Sequence, residues 1–352
     1  MTSSQDKNKK SKPRETKNCR WISSGFENYL ADLTNNDIAG SPDKPIDFLI
    51  IGSGYGAAIA ARQLARQFAQ TDSSEDPTQG DCREIVVFER GEEYLPGSFP
   101  DNFSELPTHL RISPTPDGKP IGTSSGLFDL RTSKHINCLV ANGLGGGSLI
   151  NAGVMRRPPA HAFNEHWPDN ITAQSLEPYF DQVEVLLGSH YRDKVNQKNI
   201  PISVDLQSEL EDHSKTRILD QQVKHINANS EDSTDRFNFE TAAITVAQKS
   251  GANQSGVYLD KCINCADCAT GCNHNAKNSL DANLLYEAHS MGATIVTGVT
   301  ALKIAKVEQP TDGNLWVAQC RYTNDKLFKR EPGSHADQPG INHVYAKNIL
   351  IC

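Results

Sequence analysis

The sequence has no apolar run that approaches the roughly 18 residues needed to span a membrane, and its mean hydropathy is −0.52. The N-terminus is basic, but neither an apolar stretch nor a twin-arginine pair marks it as a secretory signal. An excess of positive charge is also missing, because the formal net charge of the 352 residues is −8. These absences exclude a general nucleic-acid binder and predict no transmembrane segment. Residues 1–43 are predicted to form a disordered basic and polar tail.

Outside one short stretch cysteine is used sparingly, and the total of nine is ordinary for this length and odd in number. A secreted disulfide scaffold would be shorter and denser in cysteine. Four of the nine lie in one short stretch, KCINCADCATGCNHNAK (261–277). Such clustering favours metal or redox chemistry in a reducing compartment, and we therefore expect a cytoplasmic protein.

The first motif is IDFLIIGSGYGAAIAARQLARQFAQ (46–70). The apolar run 46–51 predicts a buried parallel strand, and the alanine-rich stretch that follows predicts a helix. Gly52 permits a tight turn, Gly54 permits close approach of a pyrophosphate, and Ala57 is a small residue for helix–strand packing. This strand–turn–helix pattern is the dinucleotide-binding fingerprint. The alternative is a glycine turn in an unrelated α/β sheet.

A second strand in REIVVFERGEEYLPG (83–97) ends at Glu89, whose carboxylate is suited to accept hydrogen bonds from ribose hydroxyls. Glu89 lies 37 positions after Gly52, whereas the usual interval is about 20. The polar stretch 71–84 accounts for the excess as a surface loop insertion, which costs little free energy. An acidic residue here favours a free 2′-hydroxyl over a 2′-phosphate, although Arg90 stands next to it.

A second glycine-rich loop follows in CLVANGLGGGSLINAGVMRR (138–157). Glycines this dense are typical of backbone that passes close to another object. A mobile loop is the alternative, but Leu144, Leu149 and Ile150 favour a packed one.

In this order, GSGYGAAIAA, VVFERG and GLGGGSLINAG resemble the glucose–methanol–choline (GMC) oxidoreductase family. GSGYG and GGGSLINAG are most similar to its cholesterol-oxidase branch, as are KNSLDANLL (277–285) and GATIVTGVTALKI (292–304). The resemblance implies an α/β fold with FAD bound in an extended form across a Rossmann-like domain. That FAD-binding domain would be discontinuous in sequence and joined to the start of an α+β substrate domain.

The resemblance also implies which residues contact FAD, and these fall in the two glycine loops, after the second strand and in a later strand. They are Gly52, Gly54, Tyr55, Gly56, Ala57, Glu89, Gly145, Gly146, Gly147, Ser148, Asn151, Ala152, Val154 and Ala301. Ala57 and Ala152 stand where the family often has glycine.

The expected domain organisation has five parts. They are a tail (1–43), the first part of the FAD-binding domain (44–157), the mainly helical start of a substrate domain (158–255), the cysteine loop (256–276) and a return to the FAD-binding domain (277–352). Helices are predicted at 175–188, with Ser175 as N-cap and Gly188 as its stop, and at 216–227. A strand is predicted at 343–352.

The activity implied by the resemblance is hydride transfer from a CH–OH group, of a sterol-like or other hydrophobic alcohol, to FAD. In the family a catalytic histidine with a histidine or asparagine partner lies beyond the strand 343–352. No residue here matches that pair, so no catalytic residue is assigned and the chain alone is not expected to turn over. The other interpretations are a non-catalytic FAD- or metal-binding protein, and a nicotinamide-dependent flavin reductase. The reductase would need a second G-x-G-x-x-G loop, which the sequence lacks.

The cysteine run Cys262, Cys265, Cys268 and Cys272 has the C-x2-C-x2-C-x3-C spacing of bacterial ferredoxins, which predicts a [4Fe–4S] cluster. A single cluster needs Cys272 to fold back, or a remote ligand such as Cys82, Cys138 or Cys320, with His274 as another candidate. Structural zinc, disulfides and plain thiols are the alternatives. A cluster beside the flavin would pass electrons to an acceptor such as a quinone or an electron-transfer protein.

Overall fold

The computed structural model describes residues 21–35, 37–71, 83–114, 118–163, 166–192, 195, 198–202, 214–230, 236–308, 315–324 and 340–352. The chain divides into two compact units. Unit 1 comprises residues up to 151 together with 267–275 and 280–352, and unit 2 comprises 152–266 and 276–279.

Unit 1 contains the larger share of the strands. They are β1 (Ser24–Gly25), β2 (Ile46–Ile51), β3 (Ile85–Phe88), β4 (Leu110–Pro114), β5 (Ile121–Gly122), β6 (Phe128–Thr132), β7 (Cys138–Ala141), β14 (Thr294–Thr297), β15 (Val299–Lys306), β16 (Trp316–Tyr322) and β17 (Asn342–Ile351). Its helices are α1 (Phe26–Thr34), α2 (Tyr55–Thr71), α3 (Leu106–His109) and α6 (Leu284–Ser290).

Unit 2 carries short strands and two longer helices. Its strands are β8 (Val154–Met155), β9 (His190–Arg192), β10 (Asn199–Pro201), β11 (Ala243–Ile244), β12 (Gly251–Ala252) and β13 (Tyr258–Leu259), and its helices are α4 (Ala173–Leu186) and α5 (Ser214–Asn229). The six strands pair as three antiparallel ribbons, β8 with β11, β9 with β10 and β12 with β13.

A seven-stranded sheet in the order β1-β14-β3-β2-β17-β16-β15 organises unit 1. The strands from β1 to β17 in this order run parallel, and β16 and β15 continue the sheet antiparallel. All four residues of β3 are buried, as expected for a central parallel strand with both faces covered. The predicted α/β class is confirmed, and β2, β3, α2 and β17 lie where the apolar patterns placed them.

The core of this sheet begins earlier in the chain than predicted. Within the stretch assigned to a disordered tail, β1 and α1 are folded, and residues 1–20 lie outside the described residues. Phe26 and Tyr29 of α1 are almost fully buried and make edge contacts with the ring of Phe88, at centroid distances of 6.0 and 5.4 Å. The prediction for 24–34 was wrong because it weighed polarity and overlooked the helical spacing of Phe26, Tyr29, Leu30 and Leu33.

A second sheet in unit 1 has the order β5-β4-β6-β7. Strand β6 is parallel to β4 and antiparallel to β7. Phe128 of β6 and Ala141 of β7 pack on one face into a small core with Tyr94, Phe99 and Leu149. Since Leu149 belongs to the second glycine loop, this core fixes that loop, as its apolar residues suggested.

Two predicted helices of unit 2 are present with different ends. Helix α4 begins at Ala173, and its N-cap is Thr172, whose hydroxyl accepts a hydrogen bond from the Ser175 backbone N–H at 3.0 Å. Ser175 completes this capping box from inside the helix, so its assignment as N-cap was wrong. Gly188 has φ +73° and follows the helix, as expected of a glycine stop. Over the described residues, no helix is both long and apolar enough to cross a membrane.

Phe26→Ala tests whether α1 belongs to the core. The ring is 0% exposed, and emptying such a site is expected to lower the free energy of unfolding by about 3–5 kcal/mol. Phe103, which is 91% exposed, supplies the control, since Phe103→Ala is expected to change stability by less than about 0.5 kcal/mol. Urea denaturation measures both, and equal effects would show that α1 does not contribute to the core.

Candidate dinucleotide site

The first glycine turn joins β2 to α2 in a conformation that requires glycine. Gly52 has φ +103°, and a Cβ atom there would lie 2.6 Å from the carbonyl oxygen of Cys352 at the end of β17. The Gly52 N–H donates to the carbonyl of Phe88 at 2.8 Å. The turn is therefore held between its two neighbouring strands, and any side chain at this position would displace one of them.

Gly54 faces free space at the N-terminus of α2. Among the described residues, no atom lies within 4 Å of where its Cβ would be. Helix α2 begins at Tyr55, so its first N–H groups have no partner within the helix and are suited to bind an anion. Ala57 is fully buried, as the close helix–strand packing at the third small position of the fingerprint requires.

The second glycine loop lies directly against the first. Gly146 has φ +54°, and a Cβ there would lie 3.0 Å from the Cα of Gly54. Gly145 also has a positive φ, +105°, and Gly147, like Gly54, has no described atom within 4 Å of a Cβ position. The two loops thus form a cradle of bare backbone that faces free space at Gly54 and Gly147.

Glu89 lies immediately after β3 and is 7% exposed. Its Oε1 accepts a hydrogen bond from the Gly91 N–H at 2.8 Å, and its Oε2 accepts one from the Ser53 hydroxyl. Burial raises the pKa of Glu89 above its usual value, although these hydrogen bonds oppose the shift. Each carboxylate oxygen can accept a second hydrogen bond, so the group keeps acceptor capacity for a ligand.

Ser53 is a residue of this candidate site that the sequence analysis missed. It occupies the variable position of the fingerprint and is 1% exposed. Its hydroxyl donates to Glu89 and accepts from the Gly145 N–H at 3.0 Å. One buried oxygen therefore links the first turn, the carboxylate after β3 and the second loop. The signal in the sequence was a small hydroxyl residue between two required glycines.

Other predicted contact residues in unit 1 are held by side-chain hydrogen bonds. Ser148 donates to the Gly145 carbonyl at 2.8 Å and accepts from the Leu280 N–H at 3.1 Å. The Asn151 amide donates to the Tyr55 hydroxyl at 2.7 Å. Tyr55 is 43% exposed. Its phenol and Asn151 thus connect the start of α2 with the end of the second loop.

The structure does not bring all the predicted residues into this unit. Ala152 and Val154 belong to unit 2, where Val154 lies in β8 opposite Ile244 and is 58% exposed. Ala301 lies in unit 1, on β15 opposite Cys320, beside an irregularity in the strand register. The roles of these three residues in cofactor binding stay predictions.

The cysteine run forms a loop whose local structure is set by other residues. Cys262 donates its backbone N–H to the Ala247 carbonyl at 2.9 Å, and the Asn264 N–H lies 3.4 Å from the Cys262 sulfur. Asn264 and Ala266 have left-handed backbones, with φ 59° and 69°. Further along, the Asn273 Oδ1 accepts from the backbone N–H groups of Gly97 and Phe99, both at 3.0 Å.

These contacts do not produce the predicted metal site. Within the described residues, which include all four cysteines of the run, no group of three or more His, Cys, Asp or Glu is placed to hold a metal ion. Cys262 and Cys265 belong to unit 2, whereas Cys268 and Cys272 belong to unit 1. The [4Fe–4S] prediction is therefore not supported. Asn273, at the position where ferredoxins usually have proline, anchors the end of the loop to residues 97–99.

The parallel sheet and the two glycine loops define a dinucleotide-binding protein. A family model described as GMC oxidoreductase matches residues 46–325, and the chain belongs to this family. The family was therefore correctly predicted from the two glycine loops and the strand that ends at Glu89.

Curated relatives agree with this assignment. A cholesterol oxidase of Acinetobacter baumannii is 24% identical over 282 residues, which cover 76% of this chain and 43% of that enzyme. A cholesterol oxidase of Mycobacterium tuberculosis is 25% identical over 290 residues, covering 77% and 41%. The long-chain-alcohol oxidase FAO4B of Arabidopsis thaliana is 22% identical over 274 residues, covering 78% and 29%. The chain thus spans less than half the length of each of these relatives.

Ser53→Ala tests the buried hydroxyl that links the site. Removing it leaves Glu89 without one of its donors and the Gly145 N–H without its acceptor, so the free energy of unfolding is expected to fall by about 1–3 kcal/mol. Ser104→Ala is the matched control, because Ser104 is exposed and its hydroxyl donates to Asn102, two residues away. Chemical denaturation of the protein without added cofactor compares the two, and a Ser53 effect no larger than that of Ser104 would contradict the assigned role.

Proposed function

We propose that this chain forms the FAD-binding part of an oxidoreductase that acts on the CH–OH group of a hydrophobic alcohol. The single observation that carries the proposal is the cradle at Gly54 and Gly147. Two loops of the same unit meet so closely that a Cβ on Gly146 would lie 3.0 Å from the Gly54 Cα, yet nothing described lies within 4 Å of a Cβ position at Gly54 or Gly147. Backbone exposed in this way is what a bound pyrophosphate requires.

The residues around the cradle fit FAD. The N-terminus of α2 offers N–H groups and a positive dipole end to the pyrophosphate. The Glu89 carboxylate, with acceptor capacity remaining, is the group for the ribose hydroxyls at the adenosine end. Tyr55 and Asn151, hydrogen-bonded at 2.7 Å, border the second loop, which we assign to the side of the flavin ring. When bound, the flavin supplies the chemistry, because it accepts hydride from the alcohol carbon.

The substrate class rests on the relatives. Two of them are named cholesterol oxidases and one is named a long-chain-alcohol oxidase, so a bulky apolar alcohol is the substrate class we assign. No residue of this chain is assigned as the catalytic base. The proposal contains no iron–sulfur relay, since the cysteine run is not gathered into a metal site. The acceptor of the flavin's electrons stays a prediction from sequence: a quinone or an electron-transfer protein.

Gly54→Ala separates cofactor binding from folding. An added methyl group meets no described atom within 4 Å, so the protein without cofactor should keep its stability. The methyl would, however, occupy the space assigned to the pyrophosphate, and crowding of this kind costs about 1–3 kcal/mol. We expect FAD affinity to fall about 10- to 100-fold, measured by flavin fluorescence titration and by the visible spectrum of the purified protein.

Gly251→Ala in β12 is the matched control, since a Cβ there also meets no described atom within 4 Å and the residue lies in unit 2. It should bind FAD as the unaltered protein does. Gly147→Ala should behave as Gly54→Ala does. Unchanged FAD affinity in both variants, or a protein that never binds FAD, would refute the proposed site.

The substrate class is tested on the protein purified from its native source and loaded with FAD. Under anaerobic conditions, a sterol or a long-chain primary alcohol should bleach the visible flavin absorbance, and glucose should leave it unchanged. Bleaching by glucose alone would assign a different substrate class. A flavin that binds but is reduced by none of these alcohols would favour the non-catalytic FAD-binding interpretation.

A further inference from the structure

Three arginines gather around one carboxylate in unit 1. Asp129 of β6 is fully buried, and its neighbours on the strands are Arg111 of β4, which lies opposite it in register, and Arg131, two residues further along β6. Residues at this spacing share one face of the sheet. Arg90, which follows Glu89, reaches the same carboxylate. The charge of Arg321 on β16 is also close enough to lower the pKa of Arg111.

Asp129 uses only two of the N–H donors that the surrounding arginines offer. Its Oδ1 accepts from the Ser113 hydroxyl at 2.7 Å, and its Oδ2 accepts from Arg90 Nη2 at 2.7 Å and from Arg131 Nε at 3.3 Å. Arg111 Nε lies 3.7 Å away and bonds to Ser113 instead, at 3.1 Å. One or two arginines would have sufficed to neutralise this carboxylate.

The remaining arginine nitrogens have no protein acceptor in the part of the chain that the structure describes. Arg90 Nε bonds to Asn142 and Arg111 Nη1 to the Ser124 carbonyl. Within the described residues, this leaves Arg90 Nη1, Arg111 Nη2 and both Nη atoms of Arg131 without a hydrogen-bond partner. Arg90 and Arg111 are only 22% and 16% exposed, whereas Arg131 is 48% exposed. The unused donors are therefore partly shielded from water, with an entry beside Arg131.

The charges in this cluster do not balance. Three arginines contact one aspartate, which leaves an excess of two positive charges. Burial disfavours the charged Arg111, and the charges of Arg90, Arg131 and Arg321 add to that effect, so the pKa of Arg111 lies below its usual value. An unbalanced and partly buried charge of this kind is costly unless a counter-ion is bound.

A phosphate group matches both the charge and the donors. A phosphate monoester carries a charge close to −2 near neutral pH, which would neutralise the two excess positive charges. A carboxylate would neutralise only one of them. Guanidinium groups bind phosphate oxygens through two parallel N–H groups. From these observations we propose that Arg90, Arg111 and Arg131 form a binding site for a phosphate group on the open side of Asp129.

Phosphate binding is tested by titrating inorganic phosphate into the FAD-loaded protein at about pH 8, with chloride used to hold the ionic strength constant. Isothermal calorimetry should show saturable binding. Arg131→Gln keeps the Asp129 contacts to Ser113 and Arg90, and it should weaken phosphate binding by about tenfold or more. Arg156→Gln is the matched control, because Arg156 is 77% exposed and pairs with Glu240 in unit 2; it should bind phosphate normally.

Phenyl phosphate in a parallel titration distinguishes the source of the group. Equal or tighter binding would assign the site to a phosphate ester of a larger ligand, and exclusion of the ester would assign it to free phosphate. The proposal is overturned if phosphate binding is not saturable above chloride. It is equally overturned if Arg131→Gln and Arg156→Gln change the affinity to the same extent.

Discussion

The buried hydroxyl of Ser53 is the interaction on which the dinucleotide site depends. The hydroxyl donates a hydrogen bond to Glu89 and accepts one from the Gly145 N–H. Residues that lie 36 and 92 positions after Ser53 in the chain therefore meet at one oxygen atom. Ser53 can occupy this position only because Gly52 takes a left-handed turn and brings β2 under the start of α2. The sheet therefore determines where the turn lies, and the hydroxyl determines how the carboxylate and the second loop are placed relative to it. A methyl or larger apolar group at this position would leave two buried polar groups without partners.

The glycines of the two loops are as important as the Ser53 hydroxyl, because they keep side chains out of the site. Gly52 and Gly146 are required because a Cβ would meet backbone, at 2.6 and 3.0 Å. At Gly54 and Gly147, by contrast, nothing described would obstruct a Cβ, so the structure of the protein alone does not require glycine there. The proposed pyrophosphate of FAD would supply a reason for glycine at both positions. The two kinds of glycine in one site separate the requirements of folding from those of binding.

Sequence patterns predicted the parts of the fold that obey short periodicities. The apolar run 46–51, the strand before Glu89 and the glycine loops gave the parallel sheet and the family. Three features were missed for physical reasons. The helix at 26–34 follows a polar stretch, and its aromatic residues are buried only through tertiary contact with Phe88. Ser53 acts through partners distant in sequence. The cysteine run has ferredoxin spacing, but spacing does not specify the backbone, and Asn264, Ala266 and Asn273 direct the loop elsewhere.

Two buried carboxylates show how the surroundings decide the state of similar groups. Around Glu89 the donors are a hydroxyl and two backbone N–H groups, burial dominates, and the pKa of Glu89 is raised. Burial opposes the ionised form of Asp129 as well, but hydrogen bonds from Ser113 and Arg90 outweigh it, and the pKa of Asp129 is lowered. Arg90 follows Glu89 directly in the chain, yet its guanidinium contacts Asp129 and Asn142. The positive charge of Arg90 therefore stabilises the ionised Asp129 of the second sheet more than it stabilises the ionised Glu89. This leaves Glu89 as an acceptor for neutral hydroxyl groups and concentrates positive charge at Asp129, so the two places are suited to different parts of a ligand or to different ligands.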